Sequence, residues 1–140
     1  TGNRILLVED EILVAMMMRD ILSDLGYAVV GPFSRLTEAM IAAVHDEIDA
    51  GVVDINLGGE FVYPVADVLV ARGIPFVFIT GYGVESIDKR FGSVPIIKKP
   101  VQKQALQKLF IQADREQPAF SESTFGVGRE RARAGGAFPA

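Results

Sequence analysis

The feature that most constrains the fold is that polar residues directly follow four short apolar runs. A short apolar run between turn signals is typical of a buried β-strand. If these strands are parallel, their polar residues lie together beyond the carboxyl ends, the edge where open α/β sheets bind ligands. In chain order, the polar sets are Glu9-Asp10-Glu11, Asp54, Thr80 and Lys99-Pro100.

Composition narrows the class of protein. A chain of 140 residues fits one domain, and 49% hydrophobic residues suffice for a core. The net charge of −4 gives no sign of the basic surface that binds nucleic acid, so we expect no nucleic-acid partner. The absence of cysteine excludes disulfides and thiolate chemistry and is compatible with a reducing cytoplasm, where we expect the protein. The apolar run from Ile12 to Met18 is too short to span a bilayer and the chain begins with no signal peptide, so no membrane association is expected.

Predicted strands and helices alternate along residues 1–115, which we interpret as one domain. This alternation predicts an α/β fold, a doubly wound parallel sheet of five strands in the flavodoxin-like order 2-1-3-4-5, with a shortened or irregular fourth helix. Residues 116–140, rich in Gly, Ala, Ser, Arg and Pro, predict a mobile tail. The predicted strands are Arg4–Val8, Tyr27–Val30 (ended by Gly31-Pro32), Gly51–Ile55, Phe76–Ile79 and Val94–Ile97. The predicted helices are Glu11–Leu25, Leu36–His45, Val62–Arg72 and Val101–Arg115, with a turn-rich loop at Asn56–Glu60 and a loop or stunted helix at Gly81–Phe91.

The acidic edge predicts a metal site and phosphoryl chemistry. Glu9, Asp10 and Asp54 are expected together, because the first and third strands flank the point where strand order reverses. Carboxylate oxygens with water suit Mg²⁺, and a cation lowers the cost of keeping neighbouring carboxylates ionised. With that charge neutralised, Asp54 could attack phosphorus and form an acyl phosphate. Thr80 and Lys99 could then bind the phosphoryl oxygens.

Each of these residues also has an ordinary structural interpretation. The trio Glu9-Asp10-Glu11 could be an acidic N-terminal turn that favours the helix dipole. Asp54 could be a strand-end turn residue, and Thr80 could cap the turn that follows it. Lys98 competes with Lys99 for the active position, although the Lys-Pro pair favours Lys99. The occurrence of all four sets in order favours the functional interpretation.

In combination, these motifs resemble the receiver domain of two-component response regulators. The resemblance covers roughly Arg4 to Arg115 and rests on four stretches: Leu6-Leu7-Val8-Glu9-Asp10-Glu11, Val53-Asp54-Ile55-Asn56-Leu57, Thr80-Gly81 and Lys99-Pro100. It implies that Asp54 is the phosphoacceptor and that Thr80 and Lys99 bind the phosphoryl group. It also implies a Mg²⁺ site formed by Glu9, Asp10, Asp54 and the main-chain carbonyl of Asn56.

The resemblance also implies the partners. A histidine kinase or a histidine phosphotransfer protein would donate the phosphoryl group, and the output would be altered binding of a downstream protein. The protein would be a signalling domain and not an enzyme, and both a monomer and a weak homodimer remain open. Phosphorylation would shift a two-state surface around Gly81–Phe91, the fifth strand and the last helix.

One stretch resembles an atypical group of receivers. Phe78-Ile79-Thr80-Gly81-Tyr82 is similar to the signature of the FAT GUY receivers, which have a reduced fourth helix. The interval from Thr80 to Lys99 is shorter than in common receivers. Position 96 is Ile, where many receivers carry a switch aromatic, so Tyr82 is the candidate to replace it.

Three alternatives remain. A Mg²⁺-dependent phosphohydrolase of the haloacid-dehalogenase type would require an Asp-x-Asp pair after the first strand, but Ile12 occupies the second position. A pseudo-receiver that only docks partners would bind no Mg²⁺. A flavin-binding electron carrier would require a Gly- and hydroxyl-rich phosphate loop, whereas the acidic trio would repel phosphate.

Overall fold

The computed structural model describes residues 2–81 and 87–108, and it is an α/β fold. The strands are β1 (Arg4–Val8), β2 (Ala28–Phe33), β3 (Ala50–Asp54), β4 (Asn56–Leu57), β5 (Glu60–Phe61), β6 (Phe76–Thr80) and β7 (Ile96–Lys98). The helices are α1 (Ile12–Asp24), α2 (Leu36–His45) and α3 (Tyr63–Ala71), and residues 103–108 are also helical.

The main sheet has five parallel strands in the order β2-β1-β3-β6-β7. This confirms the predicted order 2-1-3-4-5, because the short strands β4 and β5 pair only with each other in an antiparallel hairpin. One face of the sheet packs against α2 and α3, and the other packs against α1 and residues 101–106. Helices on both faces explain why every residue of β3 and β6 is buried.

Several predicted boundaries are wrong, and hydrogen bonding explains the largest difference. Gly31-Pro32 does not end the second strand, which continues to Phe33. The pairing with β1 shifts register between Leu6 and Val8, so the strand passes an irregularity and pairs again. The main-chain N–H of Glu9 then donates to the carbonyl of Phe33 at 2.9 Å, which fixes the start of the acidic turn.

The loop after β3 contains the β4–β5 hairpin, which the sequence analysis interpreted only as turns. The N–H of Val62 donates to the carbonyl of Ile55 at 2.7 Å and closes the base of this hairpin. Gly58 and Gly59 have φ of +59° and +98°, a conformation that glycine adopts without strain. The hairpin therefore leads the chain to α3, which begins at Tyr63, nine residues after Asp54.

In the described part of the stretch predicted as a loop or stunted fourth helix, residues 87–91, the chain forms a 3₁₀ turn at Lys89–Phe91. The preceding residues 82–86, which include Tyr82, lie outside the described residues, as do residues 109–140 and hence the predicted tail. The boundary at residue 115 therefore stays a prediction. Within residues 2–81 and 87–108, no helix is long and apolar enough to cross a membrane.

Candidate functional site

Three polar side chains are buried at the carboxyl ends of the central strands. Glu9 follows β1, Asp54 ends β3 and Thr80 ends β6, and they are 1%, 3% and 1% exposed. Among the described residues, these are the polar or charged residues in the buried class. Burial of a polar group is costly unless the group has hydrogen-bond or charge partners. Three such groups at one edge of the sheet therefore indicate a functional site.

Lys99 extends into this group from the end of β7. Its ammonium nitrogen lies 2.9 Å from Asp54 Oδ2 and 3.2 Å from Glu9 Oε2, and it also donates to Glu11 Oε1. The main-chain N–H of Lys99 donates to the carbonyl of Thr80 at 2.9 Å, which anchors the lysine to β6. The Lys99–Pro100 peptide is cis.

A cleft of about 550 Å³ opens above these side chains. The N–H of Asn56 donates to Asp54 Oδ1 at 3.1 Å, so each oxygen of the Asp54 carboxylate has a donor. The side chain of Asn56 in turn accepts from the N–H of Gly59 at 2.7 Å, which ties the hairpin to the site. The cleft is lined by Asp10, Glu11, Asp54, Asn56, Gly58, Gly59, Gly81 and Lys99.

The close packing of charges shifts two pKa values. Burial raises the pKa of Glu9 from 4.5 to about 7, and the neighbouring charge of Asp54 adds to this effect. The hydrogen bond from the N–H of Glu11, at 2.9 Å, and the charge of Lys99 oppose it. Burial by itself lowers the pKa of Lys99, but its hydrogen bonds to Glu11 and Asp54 outweigh burial and raise it. The lysine is therefore held as a cation beside carboxylates.

The donor set fits a divalent cation. Oε1 of Glu9 is buried and has no hydrogen-bond partner among the described residues, although it lies 3.2 Å from the Lys99 nitrogen. Carboxylate oxygens of Glu9, Glu11 and Asp54 lie within 4.8 Å of one another. A buried carboxylate oxygen without a donor, beside other carboxylates, is what a hard cation such as Mg²⁺ would bind.

The structure places most of the predicted site residues in one location. Glu9, Asp54 and Lys99 are in direct contact, and Asp10 and Asn56 line the same cleft. Thr80 is buried beside Gly81. Gly81 lines the cleft, but Thr80 is not among the residues that line it.

The sequence analysis missed a role for Glu11, which contacts Lys99 although the two residues are 88 positions apart. The available signal was a third consecutive carboxylate at a strand end that faces a lysine on the same sheet edge.

Solved structures similar to this chain identify its family. SdrG from Sphingomonas melonis Fr1 is 43% identical, and the match covers 76% of this chain and 91% of SdrG with a TM-score of 0.68. The signal receiver domain of a modulated diguanylate cyclase from Desulfovibrio desulfuricans G20 is 32% identical over 83% of this chain and 96% of that one, with a TM-score of 0.71. This chain belongs to the receiver domain family of response regulators.

A third receiver domain is relevant to the metal. It comes from a sensor histidine kinase of Pseudomonas aeruginosa PAO1 and has a magnesium ion coordinated in its active site cleft. It is 25% identical over 78% of this receiver and 94% of that chain, with a TM-score of 0.67. Neither the protein-family models nor the curated proteins give a match.

Proposed function

We propose that this receiver accepts a phosphoryl group on Asp54 from a phosphohistidine of a histidine kinase or phosphotransfer protein. The observation that carries the proposal is the contact of Asp54 Oδ2 with Lys99 at 2.9 Å, inside a buried group of carboxylates. The proposed role is signalling by altered binding of a downstream protein. We propose a cytoplasmic location, because such a relay would draw its phosphoryl groups from ATP.

The transfer is a displacement at phosphorus. An oxygen of the Asp54 carboxylate forms a bond to phosphorus, the bond from phosphorus to the histidine nitrogen breaks, and its electron pair stays on the imidazole. Lys99 is already cationic and pairs with a phosphoryl oxygen, while the N–H of Asn56 holds the other carboxylate oxygen at 3.1 Å. Positioning and charge neutralisation supply most of the rate in phosphoryl transfer.

Glu9, Asp10, Asp54 and the main-chain carbonyl of Asn56 are the proposed ligands of Mg²⁺. Bound there, the ion would neutralise charge on the phosphoryl oxygens. The proposal is supported by the buried Oε1 of Glu9, which accepts no hydrogen bond from the described residues, and by the magnesium site of the related kinase receiver. Thr80, at the end of β6, is the proposed donor to a further phosphoryl oxygen.

Intact mass after incubation with acetyl phosphate and Mg²⁺ tests the proposal. We expect one phosphoryl adduct on the wild-type protein and none with EDTA or in Asp54→Asn. Asp20→Asn, which removes an exposed carboxylate of α1 away from the cleft, controls for the loss of charge and should retain the adduct. An adduct of equal yield on Asp54→Asn would contradict the assignment of Asp54.

The same samples separate the alternatives. We propose that the domain is not an enzyme with a free substrate, because the phosphoryl group stays on its own Asp54. Steady release of phosphate from small phosphomonoesters would instead favour the phosphohydrolase. No binding of Mg²⁺ by calorimetry and no adduct would favour the pseudo-receiver.

A further inference from the structure

Lys99 has no donor to spare in this structure. A lysine ammonium has three N–H donors. Three carboxylates contact it, those of Asp54, Glu9 and Glu11. A phosphoryl oxygen that binds Lys99 must therefore take a position that a carboxylate now holds.

The three carboxylates differ in how readily each can break its contact with Lys99. The side chains of Glu9 and Asp54 are 0% and 4% exposed, and main-chain N–H groups hold both of them. The side chain of Glu11 is 59% exposed and reaches Lys99 from the rim of the cleft. Exposed ion pairs contribute little free energy, so the Glu11 contact is the one that breaks at least cost.

The Glu11 carboxylate also lies where it would repel a phosphoryl group on Asp54. One carboxylate oxygen each of Glu11, Asp54 and Glu9 lie within 4.8 Å of one another, so a phosphoryl group on Asp54 would form beside the Glu11 carboxylate. A phosphoryl group carries close to two negative charges at neutral pH, and a carboxylate at this distance repels it.

We propose that Glu11 competes with the phosphoryl group for Lys99, so that Glu11 must release the lysine when Asp54 is phosphorylated. This inference rests on the proposed function. It makes Glu11 a positioning residue that holds Lys99 over the acceptor in the resting protein and opposes the phosphorylated one. Removal of the contact should therefore favour phosphoryl binding without weakening the acceptor.

Two substitutions separate competition for Lys99 from the effect of charge alone. Glu11→Gln removes the charge and leaves a weaker, neutral hydrogen bond. Glu11→Asp keeps the charge but shortens the side chain. Because position 11 is the N-cap of α1 and its side chain makes no capping bond, Asp is well suited to cap the helix and turn away from Lys99.

The measurement is the affinity for beryllofluoride in the presence of Mg²⁺, followed by NMR, since BeF₃⁻ on an aspartate stands in for the phosphoryl group. We expect both Glu11→Gln and Glu11→Asp to bind about three- to fivefold more tightly than the wild type. The control Asp20→Asn should bind like the wild type.

The outcomes distinguish this inference from the proposed function. If wild type binds and both Glu11 variants bind within about twofold of it, competition for Lys99 is wrong. If only Glu11→Gln gains affinity, charge alone accounts for the effect and the inference also fails. If the wild type binds no beryllofluoride, the proposed function and this inference fall together.

Discussion

Tyr63, the first residue of α3, accepts a hydrogen bond on its hydroxyl from the main-chain N–H of Asp88 at 2.9 Å. Its ring stacks on Phe91 at 5.3 Å between centroids. Arg90 adds a paired contact, since its guanidinium donates to both carboxylate oxygens of Asp67 on α3 at 3.2 and 3.0 Å. Side chains of α3 thus hold the 3₁₀ turn at Lys89–Phe91, which lies in the stretch where a shortened fourth helix was predicted.

The first prediction concerns the hydroxyl of Tyr63. Tyr63→Phe keeps the ring and removes the acceptor for the Asp88 N–H, so the free energy of unfolding in urea should fall by about 1 kcal/mol. Amide hydrogen exchange at Asp88 should become faster, while exchange in β3 should follow only the global change. Unchanged exchange at Asp88 would show that the hydrogen bond does not hold the turn.

A second prediction concerns Phe91, the ring on which Tyr63 stacks. Phe91 is 2% exposed and packs edge-on against Phe76 and Phe78, with centroids 6.4 and 5.5 Å away. Phe91→Ala should therefore lower the free energy of unfolding by about 3 to 5 kcal/mol, the range for a buried aromatic.

Phe61→Ala is the matched control for Phe91→Ala. Phe61 stacks on the opposite side of Tyr63 at 5.3 Å but is 52% exposed, so the same substitution should cost about 1 kcal/mol or less. Both values come from urea unfolding followed by circular dichroism. Equal losses for the two variants would mean that the 3₁₀ turn does not anchor in the core.

The sequence was sufficient to predict the sheet and the location of the site, because both depend on local patterns. Apolar runs specify buried strands, and the polar residue after each run must lie at the shared carboxyl edge in a parallel sheet. Asp54 and Lys99 are 45 residues apart, yet this rule places both at the same edge of the sheet, where their side chains lie 2.9 Å apart.

The details that the sequence did not predict depend on tertiary contacts. The hairpin beside Asp54 is an exception, because Gly58-Gly59, both at positive φ, is a local signal for a two-residue hairpin turn, and the bond from Val62 to Ile55 closes its base. The end of β2 at Phe33 depends on a bond from Glu9, which directly follows β1. The contact of Glu11 with Lys99 depends on rotamers at the rim of the cleft, and a pattern of residue types does not specify rotamers.

A third prediction follows from the buried carboxyl of Glu9. Its pKa is raised from 4.5 to about 7, so between these values the folded protein binds a proton that the unfolded chain lacks. Stability of the metal-free protein attributable to Glu9 should therefore fall as the pH rises from 4.5 to 7. Glu9→Gln removes this effect and should stabilise the protein in EDTA above pH 7, by at most about 3 kcal/mol.

Urea unfolding of Glu9→Gln and the wild type in EDTA, repeated from pH 4 to 8, checks this pH dependence. The two proteins should differ least at the acidic end and most at the alkaline end. Glu47→Gln, at an exposed position, is the control and should show no such trend. A Glu9→Gln protein that is less stable than the wild type at pH 8 would mean that the ionised carboxylate is favourable in the resting fold.

The last prediction concerns Lys99 and the metal. Among the described residues, Lys99 is the cation that pairs with both Asp54 and Glu9, so Lys99→Met leaves two buried carboxylates without a counter-charge. In EDTA, the free energy of unfolding should fall by about 1 to 3 kcal/mol, less than for a fully buried pair because Glu9 can take up a proton. Saturating Mg²⁺ should restore more stability to Lys99→Met than it adds to the wild type, because the ion takes over the neutralisation and no longer meets a competing ammonium.

Urea unfolding with EDTA or with Mg²⁺ measures these four stabilities. Lys103→Met is the matched control, since Lys103 is half-exposed and lies 3.9 Å from the exposed Asp24. Its loss of stability should be small and the same in both conditions. If Mg²⁺ stabilises Lys99→Met and the wild type equally, the ion and the lysine do not share these carboxylates, and the proposed metal site would have to be placed elsewhere in the cleft.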